Sequence, residues 1–244
     1  FKHPIFWASI FSKSYKQDYG ISDERLAIVS VKNHKQAKQN PNALSKKTYT
    51  VEEVINSTKL TDDLRLLDCS RPCTGSASVL LVSEDMAKKL TDTPIWITGI
   101  GQKTTSAGFT KNTSLSSLES TKLAGQSALK MANHSISDID VAEVHDAFSV
   151  CEPMILESLG FTNPGEGMNM IKNLYETNNF KINPRGGLIG AGHPLGATGI
   201  SQTIEIVQQL QNSAENRQTD NPKKGLIHNM SAAATSSTVL VLEK

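Results

Sequence analysis

The run Gly192-His193-Pro194-Leu195-Gly196-Ala197-Thr198-Gly199 constrains this chain more than any other stretch of it. Gly192 and Gly196 permit backbone shapes and close approaches that a Cβ would block. Pro194 fixes φ directly after the histidine and stiffens the residue that carries the imidazole. A histidine set between Gly and Pro, ahead of a helix-forming run, is a rigid, accessible group at a turn, suited to give or take a proton. A second histidine, in Val144-His145-Asp146-Ala147-Phe148, ends a short run that reads as a strand, Val141 to His145. Functional groups in α/β folds collect at such strand ends. A lone histidine is as readily a core residue satisfied by a carbonyl. The company of Asp146, Phe148 and the His193 loop turns the reading of His145 toward function.

The rest of the chain alternates between the two periodicities. Residues from about Pro4 to Tyr19 read as a helix, with Phe6, Ile10 and Phe11 at helical spacing. Ser22 is an N-cap for a second helix that Asn40-Pro41 should end. Ser45 to Asp63 is polar, with one short turn of structure at Thr50-Val51-Glu52-Glu53-Val54-Ile55. Ser76 to Val82 is small and apolar, the composition of a strand buried on both faces, and Ser83 caps a helix carrying Met86, Ala87 and Leu90. From Pro94 onward, Ile95 to Ile100 reads as a strand, Thr121 to Ala132 as a helix, Val150 to Leu159 as a helix and Ile200 to Leu210 as a helix. Leu226 to Met230 and Thr238 to Leu242 are two final strands, and Gln211 to Lys224 is a polar surface excursion. This alternation predicts α/β layers.

A formal charge of +1, with lysines scattered rather than blocked and few aromatics among them, gives no reason to expect nucleic acid as partner. No apolar run approaches the length needed to cross a bilayer. Three cysteines fit a reducing, cytoplasmic setting better than a disulfide framework. The sequons at Asn56, Asn112 and Asn133 read as chance matches, and Phe1-Lys2-His3-Pro4 as a cut into something longer rather than a targeting peptide.

Two neutral imidazole N–H groups can converge on a carbonyl oxygen and hold the negative charge that develops there. That suits removal of a proton next to a thioester. A histidine can also take the proton of a cysteine and create the thiolate nucleophile.

His145-Asp146-Ala147-Phe148, Asn183-Pro184-Arg185-Gly186-Gly187 and the Gly-His-Pro-Leu-Gly-Ala-Thr-Gly run around His193 together resemble the C-terminal half of a thiolase of the sterol-carrier-protein and archaeal type. The resemblance implies an α/β thiolase-like layered fold, mixed sheets covered by helices, with an incomplete N-terminal core half and a complete C-terminal one. Residues 1–66 would be a cap and loop region, 67–92 the end of the N-terminal half, and 93–244 the C-terminal half. It implies a β-ketothiolase-type acyltransferase that uses CoA thioesters as substrates and needs no cofactor. The catalytic residues would be His193, activating the nucleophile, and His145, sharing an oxyanion hole with it. Implied partners are acyl-CoA or CoA, the missing N-terminal half, a second copy in a homodimer or tetramer, and hydroxymethylglutaryl-CoA synthase with a small zinc-ribbon bridging protein.

This sequence departs from the family pattern at four places. The nucleophilic cysteine of relatives lies upstream; Cys73-Thr74-Gly75 imitates its setting but stands before a strand-like run. A Cys69/Cys73 metal pair lacks a second pair of ligands. Where relatives carry a second, acid/base cysteine, Ala147 and Asn229-Met230-Ser231 stand here, leaving Cys151, about one helical turn from Ala147, as a substitute or as a small buried residue. The terminal loop Ser231 to Ser237 has no Gly, so any positive φ there falls on a residue with a Cβ. Arg185 and Thr74 replace residues usually smaller or acidic. The alternative function is therefore a non-catalytic thiolase-like subunit that binds acyl-CoA or scaffolds a complex.

Overall fold

The computed structural model describes residues 3–105 and 114–244; Phe1-Lys2 and the Asn112 sequon lie outside the described residues. Helix α1 (Pro4–Tyr19) opens with Pro at its first turn, where the missing N–H costs nothing. Helix α2 (Asp23–Ala37) is capped as its sequence predicts, Ser22 accepting from the Arg25 N–H. Thr50 and Glu53 form a capping box on the short α3 (Val51–Ile55). Strands β1 (Lys59–Thr61) and β2 (Leu64–Arg65) form a small antiparallel pair, followed by α4 (Glu84–Leu90).

The main sheet is built from β3 (Trp96–Thr104), β4 (Val141–Glu143), β5 (Lys224–Met230) and β6 (Ser236–Glu243), in the order β3-β6-β5-β4. The β3/β6 and β6/β5 pairs are antiparallel and β5/β4 is parallel. The described residues also form α5 (Glu119–Ala132), α6 (Cys151–Leu159), α7 (Gly167–Glu176), α8 (Gly187–Ala191) and α9 (Thr198–Leu210).

Strand alternation divides the core between the two faces of this sheet. Leu226, Val239 and Val241 join Ala124, Ala128 and Leu129 of α5. Their neighbours Ile227 and Leu242 turn the other way and pack with Val141 and with Ile206 and Leu210 of α9. Helix α5 lies close on β3: a Cβ at Gly101 would stand 1.9 Å from the Ala124 carbonyl oxygen. Trp7, Phe11, Tyr15, Leu26 and Val29 of α1 and α2 share the first cluster with Met154, Ile155 and Leu156 of α6 and with Met168 and Ile171 of α7. The N-terminal helices are thus packed into the same core as the C-terminal elements. No helix among the described residues is long and apolar enough to cross a membrane.

Two expectations are corrected. Ser76 to Val82 is not a buried strand: it forms no ladder, and Leu80 and Leu81 are 78% and 72% exposed. An apolar run carries its demand for burial in its own side chains, but a strand exists only beside another strand, and none among the described residues lies next to this one. Gln211 to Lys224 is not wholly a surface excursion, because Arg217 is buried within it and Lys224 opens β5. Helices α7 and α8 have no counterpart in the sequence reading.

Candidate active site

β4 ends at Glu143, and the next two residues bring His145 to the sheet's end, where it is 7% exposed. The turn is pinned by Asn183, whose Oδ1 accepts the Val144 N–H at 2.8 Å. His193 reaches the same place from the other side, on the loop between α8 and α9. Its N–H donates to the Arg71 carbonyl at 2.9 Å and its carbonyl accepts from the Cys73 N–H at 3.3 Å, a parallel bridge centred on Pro72 and His193. Gly192 makes this approach possible. Its φ is +103°, and a Cβ there would stand 3.0 Å from Cys73 Sγ. Gly196 has open space around it, so the demand for glycine falls on only one of the two positions the sequence singles out.

The two imidazoles meet edge to face, with ring centroids 5.1 Å apart and planes at 86°. His193 Nδ1 lies 2.8 Å from Thr198 Oγ1, the first residue of α9. The side chain of Asn229 lies beside His145, where it favours the protonated ring against the effect of burial, and donates to Gln202 Oε1 at 2.9 Å. Burial holds His145 well below the ordinary imidazole value, and His193, His228 and Arg185 push it further down. Burial and Arg185 lower His193 too. Both rings are therefore neutral near pH 7 and each keeps one N–H to donate. Thr198 and Asn229 were not anticipated as site residues. Thr198 belongs to the Gly-rich motif, but only the turn at Leu195 to Ala197 returns its hydroxyl to the histidine five residues back.

Asp146 touches neither ring in any hydrogen bond found among the described residues. Its carboxylate accepts the Leu188 and Ile189 N–H groups at 2.6 and 3.3 Å and Asn33 Nδ2 at 2.7 Å, tying the His145 turn to α8 and α2. Asn33 Nδ2 also donates to Glu152 Oε2 at 2.7 Å, as Asn183 Nδ2 does at 2.8 Å, and Lys32 Nζ pairs with Glu152 Oε1 at 2.7 Å with both side chains fully buried. Burial, and then Glu152, raise the Asp146 carboxyl well above its ordinary range. Two carboxylates face one ammonium here, and the network answers the surplus charge by holding a proton more firmly. No local signal marks Lys32 or Asn33: in Val31-Lys32-Asn33-His34-Lys35 they read as a solvated helix face.

Arg185 lies next to this system. Its Nε donates to Glu143 Oε2 at 2.9 Å, and its N–H to Oε1 at 3.2 Å. Burial still pushes the Glu143 carboxyl up to about 7, against the pull of Arg185.

None of the three thiols is presented to the histidines as a nucleophile would be. Burial pushes Cys69 and Cys151 up to about 12. Cys151 opens α6 at 1% exposure, and no hydrogen bond found among the described residues joins it to either imidazole. Cys73 follows Pro72, the bridge partner of His193, so its side chain leaves the opposite face of the backbone and lies against Gly192. Among the described residues no group of three or more His, Cys, Asp or Glu side chains is placed to hold a metal ion.

A mixed sheet between helices, with two neutral imidazoles meeting edge to face at its end, defines an α/β protein with a paired-histidine site. Residues 101–244 match the family described as thiolase C-terminal domain-like. The chain belongs to the thiolase family. It is 37% identical over 238 residues to the acetyl-CoA acetyltransferase of Methanothermobacter thermautotrophicus, covering 97% of this chain and 62% of that protein. Against sterol carrier protein 2 of Gallus gallus it is 35% identical, covering 89% of this chain and 41% of that one. The chain thus spans about three-fifths or less of these relatives' length. Among solved structures, the Ltp2-ChsH2(DUF35) aldolase superposes with a TM-score of 0.86 at 24% identity, over 99% of this chain and 64% of that one. The Bacillus anthracis acetyl-CoA acetyltransferase superposes with a TM-score of 0.70 at 18% identity, over 97% of this chain and 59% of that one. At these identities the structural likeness is one of fold.

Proposed function

We propose that these residues form the histidine-bearing half of a CoA-dependent acyltransferase of the β-ketothiolase type, completed by an N-terminal half that supplies the nucleophilic cysteine. The observation that carries this reading is the edge-to-face pair of neutral imidazoles, His145 and His193, with Thr198 on the inner nitrogen of His193. In this reading residues 67–92 end the N-terminal half and 93–244 form the C-terminal one.

In the first step the cysteine thiol loses its proton to His193. The thiolate attacks the acyl-CoA carbonyl, and the carbon–sulfur bond to CoA breaks. His193 returns the proton to the departing CoA thiolate. In the second, a base of the completed site takes a proton from the α-carbon of another acyl-CoA, the resulting enolate attacks the acyl-enzyme carbonyl, the carbon–sulfur bond to the cysteine breaks, and the departing thiolate takes up that proton from the base. The N–H groups of His145 and His193 hold the enolate oxygen as charge gathers on it. The thiolytic direction runs these steps backward. The nucleophile lies outside the residues present here: Cys69 and Cys151 hold their protons, and Cys73 faces away from His193.

A second reading, a thiolase-like subunit without turnover, is favoured by Asn229. An amide cannot exchange a proton as the acid/base cysteine of relatives does, yet it is Asn229 that meets His145. The Ltp2-ChsH2(DUF35) aldolase, whose fold this chain shares, includes a DUF35 component. A small zinc-ribbon-bearing partner, bridging to hydroxymethylglutaryl-CoA synthase, is the corresponding proposal here, alongside a homo-oligomer.

The deciding experiment uses the intact protein that carries these residues. Incubation with acetyl-CoA should add one acetyl group to a cysteine upstream of Phe1, read by peptide mass spectrometry. His193→Ala should slow acetoacetyl-CoA thiolysis by about a hundredfold or more while acyl-CoA binding persists. Binding without acetylation or thiolysis in the wild type would establish the subunit instead.

A further inference from the structure

On the far side of the 192–194 backbone from the two histidines lies a cavity of about 340 Å³. It is bounded by the 73–77 segment, by Asn40 and Asn42, and by the Ser201, Glu205 and Gln208 face of α9. Neither His145 nor His193 lines it; Cys73, Arg185 and Arg217 do.

Both arginines are buried, at 7% and 6% exposure. Each uses its Nε on a carboxylate: Arg185 on Glu143, and Arg217 on both oxygens of Glu205 at 3.2 and 3.0 Å. Arg217 Nη2 donates to Gln208 Oε1 at 3.2 Å. Arg185 Nη2 and Arg217 Nη1 are left buried with no partner. A buried guanidinium N–H without an acceptor is costly, and these two belong to side chains that share one cavity. Among the described residues Glu205 is the one carboxylate on the cavity wall, and it is already engaged by Arg217 and by Gln209 Nε2, so the wall presents no free negative charge to the spare donors. Ser201 Oγ and Asn40 Nδ2 already donate, to the Thr198 and Arg185 carbonyls, which leaves the hydroxyls of Thr74 and Ser76 and the amides of Asn42 and Gln208 to donate around the same guest. Planar guanidinium forks are matched in shape and charge to carboxylates and phosphates.

We propose that this cavity is a binding site for a small oxyanion, a carboxylate or phosphate group held between Arg185 and Arg217. The proposal does not depend on the catalytic reading. It gives the spare nitrogen of Arg185 a task of its own.

Cys73 reports on occupancy. It lines the cavity, whereas Cys69 and Cys151 do not and, holding their protons, should stay unmodified, so the alkylation read on its own peptide is that of Cys73. In the intact protein, inorganic phosphate at about ten times its Kd should slow alkylation of Cys73 by iodoacetamide about tenfold and raise Tm, with sodium chloride at matched ionic strength doing neither. Succinate run in parallel distinguishes the sources: protection by succinate alone assigns a carboxylate guest, and protection by phosphate alone a phosphate. Arg217→Lys keeps a cation opposite Glu205 but removes the spare donor, and should abolish both effects. Should that variant fail to fold, the wild-type comparison still decides. Equal protection by chloride, equal protection in Arg217→Lys, or no effect of either anion on Cys73 and on Tm would overturn the proposal. The last outcome would show the cavity filled by the rest of the protein.

Discussion

Thr198 Oγ1 stands 2.8 Å from Nδ1 of His193, and a hydroxyl can serve that nitrogen in either direction. As acceptor it fixes the proton on Nδ1 and leaves the outer nitrogen a base. As donor it fixes the proton on the outer nitrogen, ready for an oxyanion. A histidine that must first take a proton and then polarise a carbonyl needs a partner of this ambivalent kind. Thr198→Val keeps the shape and removes the hydroxyl, and should slow thiolysis by the intact protein about tenfold or more with little change in Tm. An unchanged kcat would show that the inner nitrogen needs no partner.

Lys32 and Glu152 are both fully buried, so removing one strands the other without solvent. Lys32→Met should cost about 3–5 kcal/mol in a denaturant titration, and adding Glu152→Gln should restore a large part of it. Additive losses in the double variant would mean that the pair is not coupled.

His228 is fully buried in the sheet, its Nε2 3.0 Å from Thr121 Oγ1, and burial depresses it from 6.5 to about 3. Below pH 6.5 the unfolded chain takes up a proton that the native state refuses. The contribution is therefore complete above 6.5 and is lost as pH falls from there toward 3. His228→Gln should remove up to about 1.4 kcal/mol of pH dependence per unit across that window. Glu143 has the opposite sign: raised from 4.5 to about 7, it favours the native state most at low pH and loses that contribution as pH rises through the interval. Stability measured against pH in wild type and His228→Gln should thus differ in slope only on the acid side.

The Gly-free terminal loop does adopt the left-handed backbone, at Ala233 (φ 57°) and Ala234 (φ 51°). Each alanine there costs about 1–2 kcal/mol relative to a right-handed residue. Ala233→Gly should raise stability by about 0.5–1 kcal/mol after the entropic cost of glycine, measured by chemical denaturation. A loss instead would show that the buried Ala233 methyl contributes more by packing than its backbone loses.

What could be read from the sequence divides along one physical line. Ser22, Thr50 and Glu53 act on their own helix ends, so α2 and α3 announce themselves locally. The two histidines are legible because a Gly-Pro setting is a local constraint on shape. Ser76 to Val82 reads wrongly because strand formation is decided by a neighbour, which no local pattern names. Lys32, Asn33 and Asn229 are missed for the same reason: their roles are fixed by partners distant in the chain, Asp146 and Glu152 for the first two and His145 for the last.

The strand order β3-β6-β5-β4 places both inner strands after both outer strands in sequence. β3 and β4 are therefore synthesised before either inner strand, and β6, which pairs with both β3 and β5, joins the two parts of the sheet after β5 has a place beside β4. Both histidine loops precede the two inner strands in sequence. A chain that stops short of β6 leaves β3 without a partner and one edge of the β4/β5 pair open, so both open edges are sealed by the same eight-residue strand.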